Sequence, residues 1–107
     1  MSDKRQHARV QVEMFVEERQ DGSRYFQRTG NLSAGGMFLE GTFPHPRGTM
    51  VELRFTLPGE PEPVSVRGEI VGEPDAQRLG MHVRFVGLAE QPELARRLAA
   101  FVDGRSG

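Results

Sequence analysis

The chain has 107 residues, enough for one domain with a modest core, and its 14 basic and 15 acidic side chains leave a net charge of −1. That balance argues against a general nucleic-acid binder, because such proteins carry a clear basic excess. Cysteine is absent, which excludes disulfides, thiolate catalysis and zinc–thiolate sites, and no apolar run approaches the roughly 20 residues of a membrane-spanning helix. We therefore expect a single cytoplasmic domain over residues 1–107, with no membrane insertion and no signal peptide.

The N-terminal segment, residues 1–9, carries an RxxxR motif and is predicted to be a flexible arginine loop. Arg5 and Arg9 form the motif, and Lys4 adds a third cation directly before it. A guanidinium is a planar fork of donors that fits phosphate oxygens or the O6/N7 edge of guanine. Two such side chains taken alone would more often be solvated charges. His7 lies inside this segment, where a solvated loop residue is the more frequent case.

From residue 10 to residue 86 the chain alternates apolar and polar side chains with the period of two that is typical of β-strands. The first predicted strand directs one set of apolar residues to the core: Val10, Val12, Met14 and Val16. Glu17 and Glu18 follow and are interpreted as solvated charges. Asp21-Gly22 predicts a hairpin turn, and a return strand is expected over residues 24–29.

A second motif, NxSxxG, follows the return strand. Asn31, Ser33 and Gly36 place an amide, a hydroxyl and a flexible glycine in one tight turn, with Gly35 beside them. These groups suit a base edge or a ribose. Asn and Ser side chains also bond to neighbouring backbone in turns, so a structural role is an alternative that is compatible with ligand binding.

The remaining strands are predicted over residues 37–40, 51–57, 64–70 and 79–85. A loop is expected over residues 43–48, because neither of its prolines can join a central ladder. His45 lies between these prolines and is predicted to be exposed. In the last strand, His82 and Arg84 lie on the polar face.

The tail changes to a helical period. Its apolar residues fall at i, i+4, i+7 and i+8, namely Leu94, Leu98, Phe101 and Val102. Pro92 suits the first turn and Gly104 suits the position just past the end, so the helix is predicted over residues 91–103. The fold class is therefore all-β, a small six-stranded antiparallel β-barrel with a C-terminal α-helix.

The two motifs, in this order and about twenty residues apart, resemble the PilZ domain family of bacterial β-barrels, many of whose members bind cyclic di-GMP. Residues 79–85 are similar to the late GxGVRF strand of that family. The resemblance implies the split-barrel fold and a cyclic di-GMP site made by Arg5, Arg9, Asn31, Ser33 and Gly36. It implies secondary contacts from Lys4, His7, Gly35, His82 and Arg84. Many members have Asp at the position of Asn31 and a small residue at the position of His82.

No catalytic or metal-binding arrangement is found in the sequence. Ser33 has no evident partner base, and the three scattered histidines have no carboxylate cluster beside them. We therefore predict a protein that is not an enzyme and that needs neither a metal nor a cofactor. Binding of DNA or RNA is not expected.

Three functional hypotheses remain. The leading one, implied by the resemblance, is a cyclic di-GMP receptor that changes conformation as the arginine loop closes over the ligand and signals through an unidentified effector protein. The second is a PilZ-like interaction module that acts without nucleotide, in motility or development. The third is a small RNA-binding barrel, for which Phe15, Tyr25 and Phe26 would have to be exposed stacking residues.

Overall fold

A computed structural model of the chain describes residues 9–41, 45–72 and 79–106. These residues form seven strands, a short 3₁₀ turn over Leu88–Glu90 and one C-terminal helix, α1, over Pro92–Ser106. The strands are β1 (Arg9–Gln11), β2 (Phe15–Gln20), β3 (Ser23–Ser33), β4 (Gly36–Glu40), β5 (Met50–Phe55), β6 (Val64–Val71) and β7 (Gly80–Val86). No helix in the described part of the chain is both long and apolar enough to cross a membrane.

Six antiparallel strands close into a barrel. They pair in the order β3, β2, β5, β6, β7, β4, and β4 pairs again with β3. Closure leaves no free edge in this ring of strands. The additional strand β1 pairs with the end of β3 that extends beyond β2. The predicted six-stranded barrel with a C-terminal helix is confirmed.

The barrel interior is filled by the inward residues of the alternating strands. On β5, for example, Val51, Leu53 and Phe55 are buried while the residues between them are exposed. The helix adds one apolar stripe, with Leu98 fully buried between Leu94 and Val102. This stripe belongs to the same core cluster as the strand residues, so the helix and the barrel share one core.

The single strand predicted from Val10 onward is wrong in one respect, because the structure divides it into β1 and β2. Gln11 pairs with Asn31, and Phe15 pairs with Arg28. Three residues therefore lie opposite only two on β3, and a regular ladder cannot span this mismatch. A bond from the Thr29 N–H to the Met14 carbonyl, at 3.1 Å, is the backbone link that remains there.

The end of the helix also differs from the prediction. Gly104 lies inside α1, which continues to Ser106 instead of ending before the glycine. A glycine within a helix costs roughly 1 kcal/mol relative to alanine, an amount that favourable contacts nearby can offset. Arg105 supplies one such contact, because its guanidinium carbon lies 4.7 Å from the centre of the Phe101 ring.

Glu18 is buried, contrary to the prediction of a solvated charge. The side chain is 0% exposed and faces the barrel interior. Its Oε1 accepts a hydrogen bond from Gln27 Nε2 at 2.8 Å, and its Oε2 lies 2.5 Å from Nε2 of His45. His45, which was predicted to be exposed, is 17% exposed at its side chain and packs its ring 5.7 Å from that of Tyr25. We call Glu18, Gln27 and His45 the buried polar cluster.

Candidate functional site

The strand register brings the two sequence motifs together on the outside of the barrel. Arg9 pairs with Ser33, Ser33 with Gly36, and Gly36 with Arg84. A second row, about 7 Å along the strands, consists of Gln11, Asn31, Phe38 and His82. The row between them is made only of buried apolar residues: Val10, Leu32, Met37 and Val83. Both of these rows therefore face away from the barrel interior, although Ser33 and Phe38 in them are covered by neighbouring residues.

A β-bulge in β3 directs the second motif outward. Thr29 pairs with Leu39 and Asn31 pairs with Phe38, so Gly30 is an extra residue in the ladder. In an uninterrupted strand Thr29 and Asn31 would share a face, because side chains alternate with a period of two. The bulge shifts this alternation by one residue. Thr29 consequently stays inside, while Asn31 and Ser33 lie on the outer rows.

Asn31 holds Arg9. The Arg9 Nη1 donates to the Asn31 Oδ1 at 2.7 Å, across the antiparallel pair formed by β1 and β3. A neutral amide accepts this bond, so the positive charge of the guanidinium is retained. Asn31 is thus a residue that positions the arginine at the end of the RxxxR motif.

Ser33 stabilises its own turn. Its Oγ accepts from the Gly35 N–H at 3.2 Å and donates to the Gly36 carbonyl at 3.3 Å. Gly36 is required for close strand packing, since a Cβ there would clash with the carbonyl oxygen of Val83 on β7. The structural alternative for the second motif is therefore present in this fold, on the same residues that face outward.

His82 and Arg84 come from β7 and complete the two rows. The His82 ring lies 4.7 Å from the ring of Phe38, tilted by 55°. Arg84 donates through Nη2 to Oε1 of Glu69, its partner on β6. Both polar residues predicted from the last strand therefore lie beside the NxSxxG turn.

These residues border one open cavity of about 430 Å³. Its described lining includes six of the predicted residues: Arg9, Ser33, Gly35, Gly36, His82 and Arg84. The remaining described lining residues are Val71, Gly72 and Val83. The volume lies within the range of about 300–1,000 Å³ found for small-molecule sites. Two guanidiniums beside a glycine-rich turn suit an anionic ligand.

Size alone does not select this cavity. A cavity of about 450 Å³ is lined by Arg19, Arg24 and Arg67, and the first two pair with Glu17, each at 3.1 Å. Another, of about 560 Å³, is lined by the exposed rings of Phe15 and Phe26. The 430 Å³ cavity is distinguished by the chemistry of its lining, because the two motifs meet there.

Three predicted site residues, Lys4, Arg5 and His7, lie outside the described residues. Asn31 is not among the described residues that line the cavity, but it accepts a hydrogen bond from Arg9, which does line it. Within the described ranges no group of three or more His, Cys, Asp or Glu side chains is placed to hold a metal ion.

Two residues of the site were missed in the sequence analysis. Phe38, in the outer row, contacts His82, and Glu69 pairs with Arg84. The sequence marked Phe38 only as part of a short apolar strand over residues 37–40, and nothing in that apolar run indicated that its ring lies on the outer row. The signal for Glu69 was its outward position on β6, and finding its partner required the register between β6 and β7.

Comparison with known proteins identifies relatives of this chain. A family sequence model described as the PilZ domain matches residues 3–104. A search of curated protein sequences finds no match.

Solved structures that share the fold include three bacterial proteins. The Bacillus subtilis inhibitor of motility MotI/DgrA superposes with a TM-score of 0.73 at 19% identity, over 98% of this chain and 52% of that one. This chain thus spans about half of that protein. The PilZ domain of Escherichia coli YcgR, solved with c-di-GMP, gives a TM-score of 0.72 at 17% identity, covering 97% and 92% of the two chains. The PilZ domain of CeSA from a cellulose-synthesizing bacterium gives 0.66 at 24% identity, covering 89% and 97%.

Proposed function

Because the chain belongs to the PilZ domain family, whose sequence model matches residues 3–104, we propose that its 430 Å³ cavity binds cyclic di-GMP. Domains of this family are receptor and adaptor modules, and the chain is not an enzyme. The observation that carries the proposal is the convergence of Arg9 and Arg84 on one cavity beside the NxSxxG turn.

The ligand and the cavity match in chemistry. Cyclic di-GMP carries two phosphates and two guanines, and arginine recognises both groups through paired N–H donors. Within the described part of the chain, Arg9 donates one of its five N–H groups to Asn31, and the others are available to a ligand. The exposed ring of His82 offers a surface on which a base can stack.

In this proposal Arg5 and Lys4 also contact the nucleotide, and the protein changes conformation on binding it. Each charge-assisted hydrogen bond to the ligand contributes about 1.5–3 kcal/mol. The altered surface is then read by an effector protein, as an adaptor role for the domain requires. The neighbour named as an inhibitor of motility supports a role in motility, and a cytoplasmic location stays a prediction.

Calorimetric titration of the purified chain with cyclic di-GMP tests the proposal. We expect saturable binding, with GMP as a weaker-binding control because it lacks the second phosphate and the second guanine. The cations Lys4, Arg5 and Arg9 predict two nucleotides per chain. Saturation at one nucleotide per chain would contradict the predicted stoichiometry and leave the proposed receptor function intact. An absence of saturable heat would overturn the proposed receptor function.

A second candidate is an interaction module that acts without nucleotide, and one observation favours it. Phe15 and Phe26 are 72% and 68% exposed on the outer face of β2 and β3, where Leu79 lies in the same 560 Å³ cavity. Exposed apolar patches of this kind often mark protein-binding surfaces. The same titration separates the candidates, since this one predicts no binding heat.

A further inference from the structure

The two arginines of the cavity differ in what holds them. Arg9 donates to the neutral amide oxygen of Asn31, whereas Arg84 donates to the carboxylate of Glu69. Among the described residues, Glu69 is the one acidic side chain paired with an arginine that lines this cavity. Within the described residues, Arg9 is thus paired with a neutral amide and Arg84 with a carboxylate.

The strand register places this ion pair at the edge of the cavity. Glu69 on β6 and Arg84 on β7 are directly opposite, so their side chains project next to each other from the outer face. On its other side Arg84 is opposite Gly36, which has no side chain. The guanidinium thus lies between a carboxylate and the open space above the NxSxxG turn.

We infer that Glu69 sets the affinity of this cavity by competing with a ligand phosphate for Arg84, an inference that rests on the proposed function. The side chains of Arg84 and Glu69 are 57% and 32% exposed, and ion pairs this open are weak. A phosphate accepts two N–H bonds from one guanidinium and displaces the carboxylate. The displaced carboxylate stays close to the phosphate and repels it, so Glu69 weakens binding without preventing it.

The substitution Glu69→Gln tests the competition. It removes the negative charge and keeps a carbonyl oxygen that can accept from Arg84. Calorimetric titration with cyclic di-GMP should give a dissociation constant about two- to fivefold lower than that of the wild type. The gain should shrink as salt concentration rises, because salt screens exposed charges.

Glu17→Gln is the matched control. Glu17 also lies on the outer face of a strand and pairs with arginines, but it does not line the cavity. Its substitution changes the net charge by the same amount, and affinity should stay at the wild-type value. An equal gain in this control would mean that net charge alone is responsible, which would overturn the inference.

Repeating Glu69→Gln in an Arg84→Gln background shows whether the effect passes through Arg84. The gain should be largely lost there, and its full persistence would contradict competition for Arg84. If the wild type binds and Glu69→Gln binds equally or more weakly, this inference is overturned and the proposed receptor function stays intact. If neither protein binds cyclic di-GMP, the inference and the proposed receptor function are both overturned.

Discussion

The buried polar cluster and the 430 Å³ cavity on the outer face of the barrel, which we call the outer-face cavity, both contain charged and amide side chains. The two regions differ in how the hydrogen-bonding groups of these side chains are paired. In the buried polar cluster both carboxylate oxygens of Glu18 are bonded within the protein, to Gln27 and His45. At the cavity Arg9 makes one bond to Asn31 and keeps further donors exposed. Hydrogen-bonding capacity at an exposed position, rather than charge itself, thus distinguishes the proposed ligand site from the buried polar cluster.

Burial explains this difference. A buried charge must find its partners inside the protein, because leaving it unpaired costs several kcal/mol. Among the described residues no buried side-chain nitrogen or oxygen lacks a hydrogen-bond partner. In this part of the chain the buried polar side chains are satisfied within the protein. Glu18 links β2 to the β4–β5 loop through His45, whose backbone nitrogen also lies 3.5 Å from the sulfur of Met81.

The largest expected effect comes from breaking the buried polar cluster. Glu18→Ala leaves Gln27 and His45 without their shared partner and opens a cavity, so we expect a loss of about 3–5 kcal/mol in the free energy of unfolding. Urea denaturation measures this loss. Glu17→Ala, one residue away and paired at the surface, should cost about 1 kcal/mol or less. If both substitutions lowered the free energy of unfolding equally, the difference inferred between buried and exposed carboxylates would be wrong.

The next largest effect is on ligand binding. Arg9→Ala should weaken cyclic di-GMP binding by about 1.5–3 kcal/mol, roughly ten- to a hundredfold, and Arg5→Ala should act similarly. The free energy of unfolding should change by no more than about 0.5 kcal/mol, as for other surface substitutions. Arg24→Ala is the control, because that arginine is exposed and does not line the cavity. Unfolding of Arg9→Ala would show that the arginine is structural.

The smallest effect is expected at Asn31. Asn31→Ala removes the oxygen that holds Arg9, so nucleotide affinity should fall by about 1 kcal/mol, roughly fivefold. In an Arg9→Ala background the same change should have little further effect, because the arginine it positions is gone. Titration of the two single variants and the double variant measures this coupling. Additive losses would mean that Asn31 contacts the ligand independently of Arg9.

The sequence predicted the barrel because apolar and polar residues alternate regularly on strands that have one buried face and one exposed face, as on β5. Six of the nine described residues that line the cavity were named from the sequence, because the two motifs and the last strand fall on neighbouring outer rows, whereas Val71, Gly72 and Val83 were not named as site residues. The break at Val12–Met14 was missed because it depends on the bulge at Gly30 of another strand. Glu18 was misjudged for a similar reason, because its partners come from β3 and from a distant loop.

Nitrogen-15 NMR titration with cyclic di-GMP tests the central claim most directly, since it observes both regions in one experiment. We expect the largest amide shift changes at Gly35, Gly36, His82 and Arg84, with little change at Glu18 and Gln27. The Arg9→Ala variant should lose these changes at the same nucleotide concentration. Shift changes centred on the buried polar cluster, or none at the NxSxxG turn, would contradict the assignment of the outer-face cavity as the ligand site.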